Sequence, residues 1–303
     1  VTAPAEDGRD RLAERFERHR GRLRAVAHRM LGSSAEAEDA VQETWLRLHR
    51  TGDDGIENLA AWLTTVLSRV CLDMLRSRAA RHEEPARDVL FPDGPGGGDP
   101  EDEVLLVDSV GRALLVVLDR LGPAERVAFV LHDLFAVPFE EIAPVVGRTA
   151  ATTKKLASRA RRKVHGEPVV PAADLARQRD VVDAFLAAAR GGDIDGLLAV
   201  LAPDVVRRAD PAALPPGVPA EVRGADAVVR ETAVLGRRAR HAQPALLDGA
   251  VGAVIAPRGR LLAALVPTIE HDRITAYEVI ADPSRLRALD VAVLDPVGAG
   301  APP

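Results

Sequence analysis

Between residues 33 and 50 the apolar and polar positions separate at helical period. Ala37, Ala40, Val41, Thr44, Trp45 and Leu48 fall on one side, and Asp39, Gln42, Glu43 and Arg47 on the other. Ser33 stands three residues before Glu36, a capping-box spacing that marks the start of this helix. A second long helix is predicted after Asn58, where Leu59, Trp62, Leu63, Val66, Leu67, Val70, Cys71 and Met74 recur at three- and four-residue steps.

From Ser109 the helical period returns. "GRALLVVLDRL" leads to the turn Gly122-Pro123, then come "AERVAFVLHDLF", a short "PFEEIAPVV", the turn "GRT" and a last helix. Two helices joined by a short turn containing glycine make a helix-turn-helix. Pro144 lies inside the first of these, so a short or kinked element is expected, since an interior proline removes a hydrogen bond and costs about 3 kcal/mol.

After Pro171 helical patterns cover residues 174–190, 193–201 and 225–240. Strand-like runs follow, "PALLDGAVGAVIA", "GRLLAALVPTIE" and "RITAYEVIA", separated by Asp-Gly, Arg-Gly and His-Asp-Arg turns. Helices first and a strand meander afterwards predict a small α+β domain. The chain as a whole thus reads as multidomain, all-α in its first half and α+β in its second. The four blocks are residues 9–82, 83–108, 109–166 and 174–290, and residues 297–303 read as disordered.

Charge changes this picture. The net charge of −5 hides strong segregation: nine acids lie between Glu83 and Asp108 against Arg87 alone. With four prolines and four glycines in "EEPARDVLFPDGPGGGDPEDE", this second block reads as a linker, "VLF" being its one apolar island. By contrast "TTKKLASRARRKVHG", residues 152–166, holds all three lysines (Lys154, Lys155, Lys163) with Arg159, Arg161 and Arg162 and no acid. Such asymmetry points to a polyanion partner.

With Thr149 as N-cap, a turn of 100° per residue puts Thr153, Leu156, Ala157, Ala160 and Val164 inward. Ala151, Lys154, Lys155, Ser158, Arg159, Arg161 and Arg162 point outward, and Lys163 borders the apolar face. A basic wall on a helix entered by a tight turn fits the major groove, early residues at base edges and flanking bases on phosphates. The apolar face is built mostly of small residues, which argues against a membrane surface. The competing reading of the charge run alone is a solvated face.

The first and third blocks resemble bacterial sigma factors of the extracytoplasmic-function group. "AEAEDAVQETWLRLH" is similar to region 2.2, which binds the clamp helices of the RNA polymerase β′ subunit. "NLAAWLTTVLSRVCLDMLRSRAAR" is similar to regions 2.3 and 2.4, which melt and read the −10 element. "LDRLGPAERVAFVLHDLFAVPFEEIAPVVGRTAATTKKLASRARRKV" is similar to region 4, whose second helix reads the −35 element. The resemblance matches Asp39, Gln42, Glu43, Trp45 and Arg47 to the polymerase-binding helix and implies polymerase contacts at Asp39, Gln42, Glu43 and Arg47, whereas Trp45 and Trp62, which match family aromatic positions, read as core residues. It implies −10 contacts at Asn58, Thr64, Arg69, Arg76, Arg78 and Arg81, and −35 contacts along the outward face of residues 151–162. The partners implied are core polymerase, through the β′ clamp helices and the β flap, and promoter DNA.

The fourth block resembles the SnoaL-like domain fused to one subgroup of these factors, on "FLAAARGGDIDGLLAVLAPDV", "DRITAYEVI" and "DPSRL". That implies a cone of helices and sheet which docks on the sigma core and tunes its activity. Two departures stand out: Asp210 precedes "PAALPPG" where the subgroup has a glycine-rich stretch, and only "VLFPD" replaces its linker tryptophan-proline motif.

Two other functions remain in view. An enzyme in the fourth block would draw on His241, His271, Asp204, Asp226, Asp248 and Asp272, which form no motif. A ligand-gated repressor could use the same helix-turn-helix, usually as a dimer on a palindrome, but would not need the acidic exposed helix around residues 39–47. Eight histidines and one cysteine offer no zinc spacing, so no metal, cofactor or catalytic residue is expected. The single Cys71 excludes an internal disulfide. With no apolar span and no signal-peptide core at the polar N-terminus, a cytoplasmic location without a membrane partner is expected.

Overall fold

The computed structural model describes residues 3–52, 55–81, 111–235 and 241–294. The acidic block at 83–108 and the tail at 297–303 lie outside these residues. So does the end of the helix expected to reach residue 240. Two compact units form: residues 1–85 with 118–161, and residues 86–117 with 162–303. They cut across the four sequence blocks, because the third block contributes to both.

In the first unit α1 (Ala3–Leu31), α2 (Ser34–Thr51) and α3 (Leu59–Arg81) pack pairwise. Ser33 caps α2, its Oγ accepting from the Glu36 amide at 3.4 Å, and Asn58 Oδ1 caps α3 by accepting from the Ala61 amide at 3.1 Å. Phe16, Leu23, Met30, Leu48, Leu63, Leu67 and Leu72 fill the core, and the Trp45 ring leans on Phe16 at 5.1 Å. Burial pushes the Cys71 thiol up to about 12, as suits a core residue.

The third block begins with α4 (Gly111–Asp119) and α5 (Pro123–Phe129), which starts with proline at its first turn and runs on through a π-helical turn, Val130–Leu134. Then come α6 (Phe139–Val146) and α7 (Ala150–His165). Pro144 sits inside α6, which is only 8 residues long, as its sequence predicts. Gly147 ends α6 at φ 68°, its amide returning to the Ala143 carbonyl, and this left-handed cap makes the sharp turn into α7. Both α5 and α6 pack on α3.

The second unit holds α8 (Ala172–Gly191), α9 (Ile194–Val200), β1 (Leu201–Ala209), β2 (Glu221–Arg223), α10 (Ala225–Leu235), β3 (Ala242–Leu247), β4 (Ala250–Ile255), β5 (Ala263–Glu270), β6 (Arg273–Ile280), α11 (Pro283–Ala288) and β7 (Val291–Ala292). The strands form one seven-stranded sheet in the order β2-β1-β6-β5-β4-β3-β7, antiparallel except where β1 lies parallel to β6. This α+β arrangement is the one expected of a SnoaL-like domain. Its core gathers Val182, Phe185, Leu197, Val205, Val228, Ala253, Ile274 and Tyr277.

The predicted hairpin turns are present. Asp248-Gly249 and His271-Asp272 all take positive φ (50°, 80°, 50° and 60°), which suits the tight two-residue connections between their strands. The strand β1 is not in the sequence reading, which ended at a helix through Leu201. Pro203 and Asp204 interrupt its alternation and point outward, and the pairing with β6 shifts register between Leu201 and Val206.

Candidate nucleic-acid interface

α7 carries its polar and apolar residues as the helical wheel expects. Thr149 caps it, Oγ1 accepting from the Thr152 amide at 3.2 Å. Thr153, Ala157, Ala160 and Val164 are buried and Leu156 is half-buried. Ala151, Lys154, Lys155, Ser158, Arg159 and Arg162 are exposed. Arg161 is half-buried and departs from this outward row: it pairs with Asp133 and its guanidinium lies 3.1 Å from His132 Nδ1. His132 itself stacks on Phe139, with centroids 3.9 Å apart. One member of the expected basic wall is therefore engaged by the turn before α6, and the remaining cations face solvent.

On α2, Asp39 and Gln42 are exposed, while Glu43 and Arg47 are half-buried and paired with each other at 2.9 Å. They share one face of the helix, opposite Ala37, Ala40, Val41, Thr44 and Leu48, which are all buried. Arg20 and Arg24 of α1 reach Glu38 at 3.2 and 2.9 Å and tie this surface to its neighbour. Between the two helices lies a cavity of about 410 Å³, lined in part by Phe16, Gln42 and Trp45.

Along α3 the six expected −10 residues behave differently. Asn58, Arg69, Arg76 and Arg81 are exposed, whereas Thr64 turns its hydroxyl back to the Ala60 carbonyl at 2.8 Å. Arg78 is drawn into the first unit: its two terminal nitrogens donate to the Leu31 carbonyl at 3.3 Å, and one also pairs with Glu36. Asp119 lies at 4.0 Å.

Arg126 of α5 was not singled out by the sequence. It is only 2% exposed, and Nη1 donates to Asp119 Oδ1 at 3.2 Å. Its Nη2 is the nearest neighbour a side chain at Gly32 would meet, at 3.3 Å. Among the described residues its Nε and the Nε2 of His28 are buried without a hydrogen-bond partner. Burial lowers the pKa of both, and for His28 the charges of Arg29, Arg24 and Arg126 act in the same direction. Nothing in the local pattern of "GPAERVAF" marks this arginine, because its surroundings come from a helix nearly a hundred residues earlier.

In the second unit the residues weighed as an acid–base site do not form one. His271 and Asp272 occupy a hairpin turn, and Asp248 accepts from the Asp290 amide at 2.8 Å in another. Asp204 and Asp226 are exposed, Asp226 beside Arg223, Arg230 and Arg273 around a depression of about 460 Å³. Among the described residues no three His, Cys, Asp or Glu side chains could hold a metal ion, and no helix is long and apolar enough to cross a membrane. The buried polar centre of this unit is instead Arg207, held by Glu231, with Tyr277 and Thr232 close by at 3.4 Å from each other.

A three-helix unit, a helix-turn-helix with a basic outer face and an appended α+β domain define a DNA-binding transcription protein. Residues 15–81 match Sigma-70 region 2, and residues 111–164 match Sigma-70 region 4. A probable ECF RNA polymerase sigma factor of Mycobacterium tuberculosis, SigI, is 39% identical over 287 residues, covering 92% of this chain and 96% of that protein. ECF sigma factor SigJ of the same species is 39% identical over 289 residues, covering 89% and 91% respectively. The crystal structure of SigJ aligns with 91% of this chain and 98% of its own at 34% identity and a TM-score of 0.45. The chain belongs to the extracytoplasmic-function RNA polymerase sigma factors. Members of this family direct promoter-specific transcription initiation and are not enzymes.

Proposed function

We propose that this protein binds core RNA polymerase through α2, reads a −35 element with α7 and a −10 element with α3, and is tuned by its C-terminal domain. The observation that carries the reading is the division of α7, whose apolar residues are buried while Lys154, Lys155, Ser158 and Arg159 are presented to solvent. An entry turn fixed by Gly147 and Thr149 offers the first of these to base edges, as helix-turn-helix docking requires. Asp39, Gln42, Glu43 and Arg47 form the face offered to the β′ clamp helices, and the β flap is the expected partner of region 4. Such a protein acts in the cytoplasm, where core polymerase is.

The regulatory part rests on contacts of the ends of region 4 with the C-terminal domain inside the second unit. The Ala113 amide of α4 donates to Gln243 Oε1 of β3 at 3.1 Å. Gly259 lies so close to Leu115 that a Cβ there would come within 2.6 Å of it. The Val293 amide donates to the Val164 carbonyl at the end of α7 at 2.7 Å. A sheet domain that holds both ends of the DNA-reading segment can alter how that segment is presented.

The test is in vitro transcription with purified protein and core polymerase on a promoter library, followed by transcript mapping. Discrete start sites that require the protein support the reading. Palindrome binding by the protein alone, with no transcript, would sink it in favour of a repressor. Removal of residues 167–303 should change the yield or the choice of promoters, and an unchanged profile rejects the regulatory part.

A further inference from the structure

Three arginines from three different elements converge on the depression at one end of the C-terminal sheet. Arg223 ends β2, Arg230 lies in the second turn of α10 and Arg273 opens β6. The topology brings them together. β6 runs parallel to β1, so the two strands begin side by side, Leu201 pairing with Ile274. β2 runs antiparallel to β1 and ends opposite Val206, and α10 follows it after the single residue Gly224.

Like charges gathered in a concave site repel one another and raise the local concentration of anions. The nearby acids leave the lining net positive. Arg223 shares Glu221 with Arg208, at 2.8 and 3.0 Å. Arg273 gives Nη1 to the Leu201 carbonyl at 3.2 Å, which anchors the side chain without neutralising it. Among the described residues Arg230 has no ion pair, and Asp226 is the only acid in the lining. Leu198, Leu201 and Pro203 form an apolar wall, and the cavity of about 460 Å³ is of small-ligand size. The Val228 amide bonds back to the Gly224 carbonyl at 3.1 Å, so the three amides before it have no preceding turn to bond. They add to the pull that the arginines exert on an anion. Residues 167–303 hold 15 arginines and no lysine against 18 acids. The domain as a whole therefore repels a polyanion, while this corner attracts a small anion.

We infer that this depression binds a small phosphate-bearing ligand, its phosphate held between Arg223, Arg230 and Arg273. The planar guanidinium suits the group, because it offers parallel N–H donors at the spacing of two phosphate oxygens. The organic part of an ester lies against Leu198 and Pro203, and Asp226 accepts from a ligand hydroxyl. The site goes beyond the promoter reading and does not rest on it, since ligand binding is a property of the free protein.

Isothermal titration calorimetry on the full-length protein in low salt tests the inference. The probes are inorganic phosphate, glycerol phosphate and AMP, with glycerol and adenosine as controls that lack the phosphate. The phosphate probes should bind saturably and the controls should not. Arg230→Gln and Arg273→Gln should each weaken binding about tenfold or more, the loss expected for a charge-assisted hydrogen bond. Arg287→Gln, at an exposed arginine of α11 outside the depression, should leave binding unchanged. Because Arg230 is exposed and without an ion pair among the described residues, Arg230→Gln should melt with the parent, so its loss reports binding and not folding. Tighter binding of an ester than of inorganic phosphate assigns the site to the ester, and equal binding assigns it to the free anion. Controls that bind as tightly as the phosphates, no saturable binding by any phosphate probe, or binding untouched by Arg230→Gln would each overturn the site. Duplex DNA losing affinity in Arg230→Gln, with no phosphate probe bound, would overturn it in favour of a nucleic-acid contact.

Discussion

Arg207 and Glu231 form a two-point ion pair inside the C-terminal domain. The Arg207 Nε donates to one carboxylate oxygen at 3.0 Å while Nη2 pairs with the other. The remaining nitrogen, Nη1, donates to the carbonyls of Pro219 and Ala220 at 2.8 and 3.1 Å. The arginine side chain is 3% exposed and the glutamate 16%, so the pair is well shielded from water. It ties β1 to α10 and to the chain entering β2.

Removing one partner leaves the other charged and desolvated. Glu231→Ala is expected to cost the C-terminal domain about 3–5 kcal/mol, whereas Arg207→Met with Glu231→Leu should cost far less. Chemical denaturation followed by a probe in this domain measures the difference. Equal losses in the two variants would show that the charge pair is not what matters.

The exposed cations of α7 should act additively on DNA. Lys154→Ala or Arg159→Ala is expected to weaken binding to a −35 duplex and to reduce the salt slope by about 1 each if the side chain meets a phosphate. Arg161→Ala should change the slope less, because Arg161 is already engaged by Asp133 and His132. With about four phosphates neutralised, the parent affinity should fall roughly a hundredfold between 50 and 200 mM salt. Fluorescence anisotropy across that range reads all three effects.

His28 should make the first unit sensitive to mild acid. Burial, with Arg29, Arg24 and Arg126 nearby, holds its pKa below the usual 6.5, so the folded state keeps it neutral. The unfolded chain binds the extra proton first, so stability is full above about 6.5 and declines as pH falls below it. Thermal melts from pH 8 to 5 should show this decline, and His28→Asn should flatten it.

Asp210 acts in the same direction at lower pH, as an acid held charged rather than a base held neutral. Burial pushes its pKa up, but the Asp282 and Ala281 amides, each at 3.0 Å, and the Arg285 guanidinium at 2.6 Å together pull it below the usual 3.8. Its contribution is present above the unfolded value and is lost as pH falls through the folded one. Asp210→Asn should therefore lower the C-terminal domain's stability at neutral pH and reduce the change seen between pH 4 and 2. This carboxylate closes that corner of the domain by hydrogen bonds.

Some of this architecture was readable from local chemistry. Ser33 and Asn58 announce their helices because a cap satisfies backbone donors only a few residues away. The exposed side of α7 follows from a period of 3.6 residues, and the His271-Asp272 and Asp248-Gly249 turns follow from two strands that must meet over two residues. Each is a short-range constraint, so the sequence alone determines it. The family could be recognised for the same reason, since its motifs lie on those helices.

Tertiary structure decided which charges leave water. Arg126, Arg161 and Arg207 look alike in the sequence, three arginines among 40 basic residues. One is buried against α1 and α3, one is tied to the turn before α6, and one is locked inside a sheet. Nothing within a turn or two of each residue marks it for burial or pairing, and Arg161 reads locally as one more cation of the basic face. Burial of a charge depends on partners that the fold brings from far along the chain, such as Glu231 for Arg207 and the neighbourhood of Gly32 for Arg126. The strand β1 belongs with these, because its interrupted alternation becomes a strand only when β6 lies parallel beside it.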